Sequence, residues 1–230
     1  MTSIAERYQH VRSQIRHAIG IAGRPKGCVQ LLAVSKTKPA EDIAALYRLG
    51  QRHFAENYLQ EARSKQQKLA AFNITWHFIG PIQSNKTSAI AHYFDWVHSV
   101  DRLKIAQRLS EQRPAHLPPL NVCLQVNISG EASKSGVTLT ELPDLAQAIA
   151  LLPNLVLRGV MAIPAPEDNY ARQRQPYRAL YQALQALEGL SLDTYSFGMS
   201  GDLKAAVMEG STLVRVGTAL FGERHPLGDP

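Results

Sequence analysis

The stretch Val29-Gln30-Leu31-Leu32-Ala33-Val34-Ser35, then Lys36-Thr37-Lys38-Pro39, Ala40 to Leu49, Gly50, and Arg52 to Glu56 decides the fold. It holds a β-like apolar run, an amphipathic segment closed by a glycine, and a second short β-like run. Strand, helix and strand in that order make a β/α unit, whose crossover belongs to a parallel sheet.

The same alternation continues along the chain. Strands are predicted at Val29–Ser35, Arg52–Glu56, Thr75–Ile79, Trp96–Val100, Asn121–Asn127, Val156–Ile163, Thr194–Phe197 and Thr212–Val216. Helical patterns fall at 40–49, 58–71, 83–93, 101–112, 140–152, 169–188 and 202–209. Gly50 and Gly210 read as C-terminal stops, and Asp101, Thr140 and Ser200 as N-caps. A leading helix carries Ile4, Tyr8, Val11, Ile15 and Ile19 on one face and ends at Gly20 and Gly23, before Pro25. Eight strands separated by seven helices is the count of an α/β, single-domain (β/α)8 TIM-type barrel with an extra N-terminal helix. A doubly wound open sheet is the rival. The expected organisation is helix at 1–24, barrel at 29–222 and tail at 223–230.

Composition narrows the class further. The chain has 230 residues, 45% of them hydrophobic, which suits one core better than two. Mean hydropathy is -0.18, and no apolar run approaches the roughly 18 residues of a spanning helix. The N-terminus has no signal-peptide core, so a cytoplasmic protein without membrane contact is expected. Cys28 and Cys123 cannot form a disulfide framework and read as reduced core thiols. No metal site is expected. Net charge is +6, and residues 1–70 hold 12 Lys+Arg against 5 Asp+Glu. A basic end can meet a polyanion or can be a set of solvated helix faces. The charges are dispersed with no basic run, so nucleic acid is not the expected partner.

In a barrel, chemistry belongs at the C-terminal ends of the strands. Lys36 follows four apolar residues and shares a face with Leu32 and Val34 by the two-residue period. A lysine so placed is either a desolvated amine, nucleophilic enough to condense with an aldehyde, or a side chain reaching off a strand end into water. Lys38, before a proline, reads as solvated. The second strand ends in Glu56-Asn57. His77 alternates with apolar residues and is either a satisfied core histidine or a site residue. Lys134 reads as a loop residue.

Strand seven runs into Phe197-Gly198-Met199-Ser200-Gly201-Asp202, where a helix start offers free N–H groups to an anion. Strand eight places Arg215 between two valines, then Gly217 and Thr218. A guanidinium there needs either a carboxylate or a ligand. Loops after strands seven and eight are frequent phosphate sites in this architecture. A phosphate cup beside a candidate imine-forming lysine implies a phosphorylated aldehyde, and pyridoxal 5'-phosphate is the obvious one.

Six separated segments carry a specific resemblance. They are Leu32 to Lys38, Glu56 to Glu61, His77 to Gly80 with Gln83 to Lys86, Arg158 to Met161, Gly198 to Ser200, and Val214 to Thr218. Together they resemble the pyridoxal phosphate homeostasis protein family, also called YggS or PROSC, in order from about residue 29 to 222. The resemblance implies a barrel like the N-terminal domain of alanine racemase, with Lys36 carrying pyridoxal phosphate as a reversible Schiff base. It implies that Ser200, Gly201, Gly217 and Thr218 hold the phosphate, and that Asn57, His77 and Met199 line the cofactor. Arg215 would meet the pyridine nitrogen or the phosphate, and Lys134 would lie near the rim. Two departures stand out: Ala55 where the family usually has glycine, and Gly201-Asp202-Leu203 where Asp-Asp-Met or a close relative is common.

The barrel racemases pair their lysine with a tyrosine from a separate domain of the partner subunit, and this sequence carries no such domain after strand eight. The expectation is therefore a monomeric pyridoxal phosphate carrier in vitamin B6 homeostasis, with PLP-dependent apoenzymes as recipients and no robust catalysis. A weak amino-acid racemase or related PLP enzyme is the alternative.

Overall fold

The computed structural model describes residues 2–130 and 135–223. Its centre is a closed parallel barrel of eight strands paired in chain order. The strands are β1 (Gln30–Val34), β2 (His53–Glu56), β3 (Thr75–Phe78), β4 (Trp96–Val100), β5 (Leu120–Val126), β6 (Leu155–Ala162), β7 (Thr194–Ser196) and β8 (Leu213–Val216). Closure comes from β1 pairing with β8, with Leu32 opposite Arg215 and Ala33 opposite Val216. The open-sheet alternative is thereby excluded.

Helices follow the strands: α1 (Ile4–Ile21), α2 (Ala40–Arg48), α3 (Leu59–Lys68), α4 (Thr87–Tyr93), α5 (Leu103–Gln112), α6 (Leu142–Ala150), α7 (Tyr170–Gln185), α8 (Leu203–Met208) and α9 (Thr218–Phe221). The capping box of Ser3 and Glu6 starts α1. Its buried face of Tyr8, Val11, Ile15, Ala18 and Ile19 packs against α8, α9 and α2. Gly50 and Gly210 take positive φ just past α2 and α8, as C-terminal stops require.

Several sequence expectations need correction. The segment 83–93 is a 3-10 turn at Ser84–Lys86 followed by α4. Arg102, not Asp101, occupies the N-cap of α5, and Asp101 instead accepts from Arg102 Nη1 at 2.8 Å. Thr140 does not cap α6. Thr138 takes that work one turn earlier, exchanging bonds with Glu141 through its backbone N–H and its hydroxyl. Four-residue α9 was not anticipated.

Two packing layers result. The main core lies between strands and helices. Inside the barrel, Leu32, Val34, Ala55 and Leu213 form a small separate apolar cluster. The period of two that turns those residues inward also turns in His53, His77, His98, Ser196 and Arg215. This half of the interior is polar, and a polar interior must be hydrogen-bonded throughout.

Candidate functional site

Lys36 is half-buried in the turn that follows β1. The residues on either side of it are clamped by one charge network. Ser35 Oγ donates to Glu56 Oε1 at 2.6 Å, and Thr37 N–H donates to Glu61 Oε1 at 2.6 Å. Lys65 Nζ joins the two carboxylates, at 2.7 Å from Glu56 and 2.6 Å from Glu61, and also donates to the Ser35 carbonyl at 2.7 Å. Thr37 is held at φ 62°, a left-handed conformation that a β-branched residue adopts only when its surroundings fix it. Glu56 and Lys65 are buried, and burial pushes the Glu56 carboxyl above its ordinary range despite the pull of Lys65. Lys38 is not free in solvent as expected. Its ammonium donates to the carbonyls of Gly222 at 3.0 Å and Glu223 at 2.8 Å, tying the turn to the residues after α9.

Asn57 follows β2, and its buried Oδ1 has no hydrogen-bond partner among the described residues. Its backbone is fixed by Gly80, which lies so close that a Cβ there would sit 2.1 Å from the Asn57 carbonyl oxygen. Met199, Ser200 and Gly201 are exposed in the loop after β7. Ser200 does not cap α8. Asp202 occupies that N-cap and closes the loop instead, accepting from Met199 N–H at 2.7 Å and from the Tyr177 hydroxyl at 2.6 Å. Around Gly201 there is open space, so its backbone is accessible. Gly217 and Thr218 begin α9, and a Cβ on Gly217 would meet the Val34 carbonyl at 3.3 Å. Because β8 lies between β7 and β1, the loops carrying Ser200 and Gly201, Gly217 and Thr218, and Lys36 are neighbours around the mouth. A cavity of about 760 Å³ opens to one side, between α7 and the loops after β5, β6 and β7, with Met199, Gly201 and Asp202 in its wall, and Lys36, Asn57, Gly217 and Thr218 do not line it. Lys134 lies outside the described residues.

Below the mouth, Arg215 is 3% exposed. Its Nη1 donates to the Ser196 carbonyl and, at 2.9 Å, to Ser196 Oγ, while Nη2 donates to the Ala162 carbonyl at 3.0 Å. Among the described residues no carboxylate is in ion-pair contact with it, and the negative charge of Asp202 acts on it only from a distance. A hydrogen-bonded chain continues from it: Ser196 Oγ to His98 Nδ1 at 2.8 Å, His98 Nε2 to His77 Nδ1 at 2.8 Å, and His77 Nε2 to His53 Nδ1 at 2.9 Å. His77 also stacks on Trp96, with centroids 5.3 Å apart. Both of its ring nitrogens are taken by histidines and it is 0% exposed, so it is a satisfied interior histidine linked to Arg215 through His98 and Ser196.

Burial lowers all three histidines below their ordinary range. His98 falls to about 3, with Arg215 adding to the effect, and His77 is lowered further by the histidines on either side. The chain balances with every ring neutral, one donor and one acceptor at each contact. With the Ser196 hydroxyl donating to His98, the hydrogen lies on Nε2 of all three rings.

Residues 7–225 match the family model described as alanine racemase, N-terminal domain. A pyridoxal phosphate homeostasis protein from Pseudomonas aeruginosa is 61% identical over 224 residues, spanning 97% of both chains. The chain belongs to this family. Another member, from Escherichia coli, is 52% identical over 97% of this chain and 98% of its own. Among solved structures, PipY of Synechococcus elongatus with PLP bound matches at TM-score 0.82 and 37% identity, over 96% of this chain and 100% of its own. Alanine racemase from Corynebacterium glutamicum shares the fold at TM-score 0.68 and 18% identity, with 62% of its length covered.

Membership of this family explains why the strand-end motifs reappear around one mouth. It leaves unexplained what sequence reading missed: Lys65, His53, His98 and Ser196. Lys65 had one visible signal, the i,i+4 spacing to Glu61 just after Glu56.

Proposed function

We propose that this chain binds pyridoxal 5'-phosphate at the C-terminal mouth of the barrel and serves vitamin B6 homeostasis in the cytoplasm, as a monomeric holder that passes the cofactor to apoenzymes. The observation that carries the reading is Arg215, a buried cation without a carboxylate partner among the described residues, set beneath the loops of Gly201, Gly217 and Thr218 and beside the strand that leads to Lys36. A buried charge without a counter-charge is costly, and an electron-rich ligand above it relieves that cost. The partnerless Oδ1 of Asn57 at the same mouth fits a polar ligand as well.

When bound, the cofactor supplies an aldehyde carbon that condenses reversibly with an amine, with loss of water. The protein's contribution is placement. Lys36 offers the amine, on a turn that Ser35 and Thr37 hold in one conformation. Backbone N–H groups at Gly201, Gly217 and Thr218, with the hydroxyls of Ser200 and Thr218, suit a dianionic phosphate. Arg215 lies two residues deeper along β8 than Gly217, which favours the pyridine ring over the phosphate as its target. A guanidinium cannot give up its proton at neutral pH, so it can hold the ring nitrogen by hydrogen bonding without protonating it. Met199, 39% exposed, suits contact with a ring face.

The test is visible absorption of the protein incubated with pyridoxal phosphate and freed of excess by gel filtration. Wild type is expected to keep a band that Lys36→Ala loses, and borohydride followed by peptide mapping should place the label on Lys36. A retained band in Lys36→Ala, or label at another lysine only, would overturn the assignment.

A further inference from the structure

We propose that a second cavity, at the opposite, N-terminal end of the barrel, binds a small organic anion with a phosphate or carboxylate group on an apolar body. It measures about 680 Å³ and forms where α1 lies over the starts of β1 and β2. Tyr8, Ile15, Ile19, Val29 and Leu31 supply apolar wall. Arg12, Arg16, Arg24, Lys26 and Arg52 also line it, and among the described residues no Asp or Glu does. Five of the twelve positive charges in the first 70 residues therefore gather around one hollow.

What sets these cations apart from an ordinary solvated face is that they surround one hollow. Elsewhere some arginines meet carboxylates, Arg158 with Asp193 and Arg174 and Arg178 with Glu209, while Arg108, Arg113 and Arg215 are held by carbonyls, but those are not gathered around one hollow. Around the cavity, two of the five are held by neutral acceptors, and Arg12 lies over the Tyr8 ring. Arg24 Nη1 donates to the carbonyls of Val207 and Ser211 at 2.9 and 2.7 Å, and Arg52 Nη1 to those of Tyr47 and Gln51 at 2.8 and 3.0 Å. These bonds aim the guanidiniums but leave their charge uncancelled. Like charges focused in a concave site raise the local concentration of an anion.

Gln51 is buried in the lining, and both hydrogens of its Nε2 go to the Leu31 and His53 carbonyls, at 2.9 and 2.7 Å, so it fixes the wall rather than donating to a ligand. Beside it, His53 Nδ1 is taken by His77, which leaves Nε2 for a ligand on the cavity side. In the tautomer where the Ser196 hydroxyl donates to His98, Nε2 of His53 carries the hydrogen and presents a donor to an anion. This site lies at the other end of the barrel from the mouth and does not rest on the pyridoxal phosphate reading.

Phenyl phosphate is the probe, titrated into the full chain and followed by backbone amide spectra. Saturable shifts are expected at Gly27, Gly50, Gln51 and His53, with tighter binding than inorganic phosphate or benzyl alcohol shows. Arg12→Gln with Arg16→Gln, both at exposed positions of α1, should weaken binding about thirtyfold, at about fivefold for each unit charge about 4 Å from the ligand in bulk water at low salt. Shifts confined to Gly201 and Gly217, equal binding of benzyl alcohol, equal binding of inorganic phosphate, or unchanged affinity in the double variant would each overturn the proposal.

Discussion

Replacing Lys65 by methionine tests whether the charge network under the Lys36 turn is what fixes it. The substitution keeps the length and apolar stem of the side chain and removes the ammonium. Glu56, 0% exposed at its side chain, then loses the cation 2.7 Å away, while the Ser35 carbonyl loses one donor and keeps the Lys38 N–H at 3.1 Å. Breaking a buried pair from one side typically costs about 3–5 kcal/mol. A ceiling follows from the carboxylate itself, which can take a proton rather than stay charged. From an ordinary value of 4.5, holding it protonated costs at most about 3.4 kcal/mol at pH 7, at about 1.36 kcal/mol per pH unit.

The sign of the pH dependence follows. A carboxyl whose folded-state pKa is raised binds its proton more tightly when folded, so stability is greatest below 4.5 and falls as pH rises through the raised value. In wild type Lys65 limits that rise, and in Lys65→Met the falling limb extends to higher pH. Urea unfolding of both proteins should show a deficit of up to about 3 kcal/mol near pH 7 that shrinks below about 1 kcal/mol near pH 5. Adding Glu56→Gln should recover most of the loss and remove its pH dependence. A deficit equal at both pH values, or a double variant less stable than Lys65→Met, would refute the reasoning.

Further outcomes follow from other contacts. Gly80→Ala places a Cβ 2.1 Å from the Asn57 carbonyl oxygen and should lower unfolding free energy by about 1–3 kcal/mol, whereas Gly201→Ala meets open space and should change it by less than about 0.5 kcal/mol. His98, lowered from 6.5 to about 3, stays neutral when folded, so the stability it confers is full above 6.5 and is lost as pH falls toward 3. Imidazole nitrogen spectra of the folded protein near pH 5 should show His98 uncharged, and a protonated ring there would contradict the buried chain. Ser196→Ala removes the link between His98 and Arg215 and should shift the His98 ring resonances while leaving those of Lys65 in place.

How much of this was legible beforehand depends on the range of each interaction. The barrel could be read because strand alternation and glycine stops are local, and all eight strands fall within a few residues of their expected ends. Lys36, Arg215 and the loops at 200–201 and 217–218 could be placed together because barrel closure alone makes strands one, seven and eight neighbours. Helix starts were misjudged at Asp101, Thr140 and Ser200, since neighbouring polar residues compete for each cap and tertiary bonds decide between them. Asp202 wins its cap position because Tyr177, on α7, holds its other oxygen. Lys65 was hidden for a different reason: in LQEARSKQQK it reads as one more charge on a solvated face.

The histidine chain was beyond reach of any pattern in one strand. His98 and Ser196 are 98 residues apart, and their bond crosses the barrel interior from β4 to β7. Each histidine alone has a bland explanation. Only their succession requires a polar strip through a barrel whose other side is closed by Leu32, Val34, Ala55 and Leu213. A purely apolar filling would pack this interior without the need to satisfy every ring nitrogen. The strip does what such filling cannot, since it holds the Arg215 guanidinium through Ser196 without placing a negative charge beside it. A carboxylate in that position would neutralise the arginine and with it the role proposed for it at the mouth. Neutral rings satisfy the hydrogen bonds and leave the Arg215 charge uncancelled by any direct ion pair among the described residues.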